Sequence, residues 1–140
     1  MGQNQIRKIA IYGKGGIGKS TVCSNLSVAL SQMGEKVMQV GCDPQRDSIS
    51  TLCGKLMPTL LERTGEAKKV TEEMLRSVVF EGFSGVLGCE SGGPKPGMGC
   101  AGRGVTLALQ LLDQFKIFEK YGVTFVLFDV LGDVVCGGFA

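Results

Sequence analysis

The stretch Gly13-Lys14-Gly15-Gly16-Ile17-Gly18-Lys19-Ser20 constrains this chain more than any other. It has the form G-x-x-x-x-G-K-S. An apolar run, Ile9-Ala10-Ile11-Tyr12, precedes it and reads as a strand; Thr21 to Leu30 follows with helical spacing. Strand, glycine loop and helix together turn a pattern of letters into a phosphate-binding P-loop. The glycines let successive backbone N–H groups converge on phosphate oxygens, and the helix N-terminus adds a favourable dipole. In this reading Gly13 through Thr21 line the nucleotide. Lys19 bridges its terminal phosphates, and the Ser20 hydroxyl helps hold Mg²⁺.

A second lysine, Lys14, sits inside the loop, where a plain P-loop needs none. Two positive charges beside one phosphate chain repel unless an anion lies between them. The pattern K-G-G-x-G-K-S resembles the deviant P-loop ATPases, dimers in which this extra lysine reaches the nucleotide of the other subunit. That resemblance implies a homodimer with MgATP at or near its interface and a catalytic part for Lys14.

The length of 140 residues suits one domain with a real core. The 22 glycines gather at turns and show no repeat, so the chain is neither collagen-like nor low in complexity. A net charge of +2 without a basic run gives no support for a nucleic-acid partner. No apolar run approaches a membrane span. The polar start, Met1 to Gln5, leads straight into a strand rather than a signal peptide. These features predict a cytoplasmic enzyme with no membrane partner.

Taken in order, Lys8 to Tyr12 is predicted as a first strand buried on both faces, as in a parallel sheet. A helix from Thr21 to Met33, with Gly34 as C-cap, leads to a second strand over Lys36 to Cys42 and completes a β-α-β unit. Asp43 and Asp47 follow that strand, where Mg²⁺ and an attacking water would sit. Asp47 has an equal claim as a helix N-cap. Ile49 to Glu62 reads as a short helix broken near Pro58, and Thr71 as the N-cap of a surface helix ending near Ser77. Phe80 to Gly85 is a turn-rich connection before a third strand, Val86 to Cys89. A helix over Val105 to Phe115 follows, with Leu107, Leu111 and Leu112 on its apolar side. Val123 to Asp129 is a fourth strand ending in aspartate, which resembles Walker B. Asp129-Val130-Leu131-Gly132-Asp133 has the form of a switch loop that senses the γ-phosphate. The expected fold is α/β, a mostly parallel P-loop NTPase sheet flanked by helices.

Six cysteines and no histidine narrow the metal chemistry to thiolate, carboxylate or backbone ligands. No C-x-x-C pair exists, which argues against a zinc finger. Cys23 and Cys42 fall at apolar helix and strand positions and read as small buried side chains, as do Cys53 and Cys89. Cys100 and Cys136 differ, because each lies in a glycine-rich stretch. Two thiolates per chain cannot hold a four-iron cluster, but a symmetric dimer supplies four. Cys136 follows the switch loop directly, so nucleotide state would bear on the cluster's exposure and potential.

The motifs G-K-G-G-I-G-K-S, G-C-D-P-x-x-D-S, E-S-G-G-P-x-P-G-x-G-C-A-G-R-G and F-D-V-L-G-D-V-V-C-G-G-F-A together resemble the nitrogenase iron protein (dinitrogenase reductase) family, nearly collinearly from Ile9 to Ala140. The resemblance implies a homodimer holding one [4Fe–4S] cluster through Cys100 and Cys136 of each chain. It also implies single-electron transfer, coupled to MgATP hydrolysis, from a ferredoxin or flavodoxin donor to a larger nitrogenase-type catalytic protein. Arg103 matches a docking arginine that some members modify by ADP-ribosylation; by itself it would read as a solvated loop charge. Residues 1–140 then form the N-terminal part of one ATPase and iron–sulfur domain, with an exposed sheet edge. Gln45 stands where the family usually has lysine, which puts nucleotide coupling in question. The C-A-G-R-G stretch matches the nitrogenase and nickel-tetrapyrrole branches better than the chlorophyll branch. Alternatives are a tetrapyrrole-reducing complex, a positioning ATPase and an iron–sulfur cluster carrier; a positioning ATPase would not need Cys100 and Cys136.

Overall fold

The computed structural model describes residues 5–13, 18–42, 47–65, 67–92 and 101–131, with side chains described within 101–131 at 106–130. A five-stranded sheet organises them, with strands β1 (Arg7–Gly13), β2 (Val37–Cys42), β3 (Phe80–Glu81), β4 (Leu87–Glu90) and β5 (Phe125–Leu131) in the spatial order β1-β5-β2-β4-β3. β1, β5, β2 and β4 run parallel, and only the two-residue β3 is antiparallel, against β4. The helices are α1 (Lys19–Gln32), α2 (Ser50–Cys53), α3 (Leu60–Thr64), α4 (Glu72–Arg76), α5 (Ala101–Gln114) and α6 (Ile117–Lys120). Among the described residues no helix is long and apolar enough to cross a membrane.

Strand alternation divides the core in two. Met38, Val40 and Cys42 of β2 join Val126, Phe128 and Val130 of β5 in the larger cluster, with Leu60, Leu75, Ala108, Leu112 and Ile117 from α3 to α6. The alternate residues Val37, Phe125 and Leu127 face the other way and pack with Leu52 of α2 and Val28 and Leu30 of α1. Both faces of β2 are therefore covered, and all six of its residues are buried.

Most predicted elements are present with shifted ends. The predicted break near Pro58 separates α2 from α3, and Thr71 caps α4, its hydroxyl accepting the Met74 N–H. Three expectations are corrected. β1 is not buried on both faces: among the described residues it is an edge strand, with Ile9 43% and Tyr12 53% exposed. A strand with a neighbour on one side only is covered on fewer sides than its apolar composition suggests. α5 begins at Ala101, next to Cys100, rather than at Val105. Its buried stripe runs through Ala108, Leu111 and Leu112 at helical spacing, which leaves Leu107 largely exposed.

The parallel arrangement has one decisive consequence. β1 ends at Gly13, β2 at Cys42, β4 at Glu90 and β5 at Leu131, all along the same edge of the sheet. In open α/β sheets that edge is where ligands bind. Each of the four motifs noted above continues from one of these strand ends.

Candidate functional site

The site is built where α1 starts. Gly18 is the helix N-cap, with φ of +83°. A side chain there would meet nothing within 4 Å, so the left-handed backbone, not crowding, calls for glycine. α1 starts two residues earlier than predicted, which puts Lys19 and Ser20 in its first turn and leaves Thr21 exposed. The face that α1 turns to the sheet is small and polar: Lys19, Cys23, Ser24 and Ser27 are buried.

Asp129, fully buried near the end of β5, is the hub. Its Oδ1 pairs with the Lys19 ammonium, which is itself 8% exposed. Its Oδ2 accepts the Ser20 hydroxyl at 2.8 Å and the Ser48 hydroxyl at 2.6 Å. The predicted phosphate lysine, magnesium serine and Walker B aspartate thus converge, although more than 100 residues separate Asp129 from the other two. Desolvation opposes such a buried pair, and the Ser20 and Ser48 hydroxyls that donate to Asp129 help to hold it. The donor set suits MgATP: a helix N-terminus, a left-handed glycine, a lysine that can exchange a carboxylate for phosphate, and a hydroxyl and carboxylate for a hard cation.

Asp47 is half-buried, and its carbonyl accepts the Ser50 hydroxyl at 2.7 Å. It does not cap α2, whose N-cap is Ile49 without a side-chain hydrogen bond. Lys14, Gly15, Gly16, Ile17, Asp43, Gln45, Cys100, Asp133 and Cys136 lie outside the described residues, while Gly13 ends β1. Arg103 belongs to the first turn of α5, its side chain outside the described set. Among the described residues no group of three or more acidic, cysteine or histidine side chains could hold a metal ion.

The remaining cysteines behave as predicted. Cys23, Cys42 and Cys89 are buried and Cys53 partly so, and none of the four is in a disulfide. Burial pushes Cys89 up to about 12, helped by the Glu90 charge. Burial does the same to Cys23, also to about 12, with Asp129 adding to the rise and Lys19 opposing it. Thiols held protonated at neutral pH are packing residues, not nucleophiles.

Three site residues escaped the sequence reading. Gln39 is fully buried in the middle of β2; its amide donates to the Ser48 carbonyl at 3.1 Å and the Ser48 hydroxyl at 3.0 Å, and its Oε1 accepts from Ser27 at 2.8 Å. Ser48 joins this network to Asp129. Glu90, 1% exposed at the end of β4, accepts the Ser48 N–H on Oε2 at 3.2 Å, while its Oε1 has no hydrogen-bond partner among the described residues. Burial pushes the Glu90 carboxyl up to about 7; the Ser48 and Ile49 N–H groups oppose the rise, and Asp47 and Asp129 add to it. A lone glutamine inside an apolar strand was the readable signal for Gln39.

Comparison with known proteins agrees with this geometry. The solved structure of a ParA family ATPase from Chlorobium tepidum superposes with a TM-score of 0.63 at 17% identity, covering 98% of this chain and 56% of that one. Cobyrinic acid a,c-diamide synthase from Mycobacterium smegmatis, solved with ADP and magnesium, gives 0.59 at 20% identity over 92% of this chain and 52% of that one. These likenesses show the P-loop NTPase fold. Sequence similarity goes further. The chain is 55% identical to nitrogenase iron protein 2 of Paenibacillus durus over 97% of its length. It is 50% identical to the light-independent protochlorophyllide reductase iron-sulfur ATP-binding protein of Halorhodospira halophila over 99%. It covers 46% of each of these two proteins, so it spans about half the length of the curated relatives it matches. The family described as 4Fe-4S iron sulfur cluster binding proteins, NifH/frxC family, matches residues 7–140. The chain belongs to the NifH/frxC family of 4Fe–4S iron–sulfur cluster binding proteins.

Proposed function

We propose that residues 1–140 are the nucleotide-binding and cluster-binding part of an ATP-dependent one-electron reductase that acts as a homodimer in the cytoplasm. Its acceptor is a nitrogenase or nitrogenase-like catalytic component. One observation carries the reading. Lys19, Ser20 and Asp129 converge at the sheet edge where β4 and β5 end, and those strands lead in sequence to Cys100 and Cys136. In this reading nucleotide chemistry and cluster ligation share one edge of one sheet.

In this reading Lys19 leaves Asp129 to hold the terminal phosphates, and Lys14 reaches the partner's nucleotide. Asp129 and Ser20 are then free for the Mg²⁺ shell. Asp43 orients the attacking water, Asp47 assists from the same loop, and Asp133 senses the γ-phosphate. Cys100 and Cys136 of both chains hold one [4Fe–4S] cluster, whose chemistry is reversible one-electron transfer. Arg103, three residues after Cys100 in the sequence, serves docking. A tetrapyrrole-reducing complex is the second reading, favoured by the 50% identity to the protochlorophyllide reductase component.

The test is EPR of the dithionite-reduced full-length protein, prepared without oxygen, with and without MgATP. A reduced [4Fe–4S] signal whose shape changes on adding MgATP is expected. A cluster indifferent to MgATP would replace the reductase with a cluster carrier, and no cluster at full iron supply would replace it with a positioning ATPase. Electron delivery to a dinitrogen-reducing or a protochlorophyllide-reducing component then separates the two acceptors.

A further inference from the structure

The C-terminal ends of β4, β2 and β5 place three residues in one row across the sheet. Gly41 pairs with Glu90 on one side and with Asp129 on the other. Two buried carboxylates therefore flank a residue with no side chain. A Cβ on Gly41 would overlap Glu90 Oε1 and lie 2.7 Å from Ser48 Cβ. The space above Gly41 is thus filled from both sides, by Glu90 and by Ser48.

Ser48 ties the row together. Its N–H donates to Glu90 Oε2 at 3.2 Å and its hydroxyl donates to Asp129 Oδ2 at 2.6 Å. The hydroxyl also accepts from the Gln39 amide at 3.0 Å. That bond uses the hydroxyl's acceptor side and leaves its single proton for Asp129. Each group in this set is buried, so each hydrogen bond is costly to lose. Glu90 Oε2 and Gln39 hold Ser48, and Ser48 in turn holds Asp129.

We propose that Glu90 and Ser48 are positioning residues of the nucleotide site: the Glu90 carboxylate anchors the Ser48 turn over Gly41, and the Ser48 hydroxyl sets the Asp129 carboxylate for Mg²⁺. This rests on the reading of Asp129 as a Mg²⁺-shell residue. When Lys19 moves to phosphate, Asp129 loses its ionic partner, and Ser48 becomes the donor that keeps its orientation. The same device explains why glycine stands before Cys42-Asp43 and glutamate before Ser91-Gly92. Those two motif residues touch no phosphate in the reading above.

The experiment measures ADP affinity of the full-length protein by calorimetry, with Mg²⁺ and with EDTA. The quantity read is the gain in affinity that Mg²⁺ confers. Ser48→Ala is expected to cut that gain about tenfold, the worth of a hydrogen bond to a charged group. Its ADP affinity in EDTA should change less than twofold. Glu90→Leu should do the same, Glu90→Gln should restore the gain because its amide oxygen still accepts the Ser48 N–H, and the double variant S48A/E90L should be no worse than the worse single one. A purely structural role would lower the melting temperature and leave the Mg²⁺ gain intact, which would overturn the proposal. Equal loss with Mg²⁺ and with EDTA would overturn it too. Should Glu90→Leu fail to fold, Ser48→Ala decides alone. If the unsubstituted protein binds no ADP at all, the nucleotide reading itself falls and this inference with it; binding without any Mg²⁺ gain removes only the role given to Asp129.

Discussion

At the scale of the residue, the site is a contest between burial and pairing. Lys19 and Asp129 are both buried, and each is tolerated only because the other is there. Lys19→Met should therefore destabilise the nucleotide-free protein by about 3 to 5 kcal/mol, because it leaves a buried carboxylate with hydroxyl partners only. Urea denaturation of the full-length protein measures this. Gly41→Ala should cost about 1 to 3 kcal/mol in the same assay, since its methyl group must displace Glu90 or Ser48. Glu90 makes a prediction about pH. Its carboxyl is raised from 4.5 to about 7 in the folded state, so the folded chain holds that proton more tightly than the unfolded one. The resulting stability is fully present below about pH 4.5 and is lost as pH rises through about 7, a change of about 3 kcal/mol by linkage. Glu90→Gln should flatten that part of the stability–pH profile, and an unchanged slope would show that Glu90 is not its source.

At the scale of the element, local signals were legible wherever the element was governed locally. Thr71 announced α4, and a hydroxyl cap is what the structure shows. The box at α3 is of the same kind: the Thr59 hydroxyl accepts the Glu62 N–H at 3.1 Å and the Glu62 carboxylate accepts the Thr59 N–H at 3.0 Å. Thr59→Ala should cost about 1 kcal/mol, read as a lowered melting temperature, with Thr59→Ser recovering most of it. Elements governed by neighbours were not legible. β3 has two residues and exists only by pairing with β4, and α6 has four. β1 has the composition of a central strand and, among the described residues, the position of an edge. α1 was recognised by its spacing, yet the face it buries is small and polar while Val22 is 58% exposed. Apolar periodicity marks a helix; which face is buried depends on what the sheet offers, and here that is Gln39 and Asp129.

At the scale of the whole molecule, the parallel sheet delivers four separate motifs to one edge. That makes a prediction about the cysteines. Cys100→Ser and Cys136→Ser should each abolish the reduced [4Fe–4S] signal and the bound iron, whereas Cys42→Ala and Cys53→Ala should keep iron content within error, since neither is read as a ligand. Iron analysis and EPR on the full-length protein check both halves. A cluster that survives both serine variants would remove the bridging arrangement. The sequence by itself determined the P-loop motif, the β-α-β order, the Thr71 cap, the packing role of four cysteines and the family, because each rests on residues close together in the chain or on motifs complete in themselves. Only the tertiary structure decided that Asp129 closes on Lys19, that Ser48 and Gln39 stand behind it, and that Glu90 shares a row with it across Gly41. Those contacts join residues as far as 110 positions apart. Their geometry comes from strand register, which no local pattern encodes.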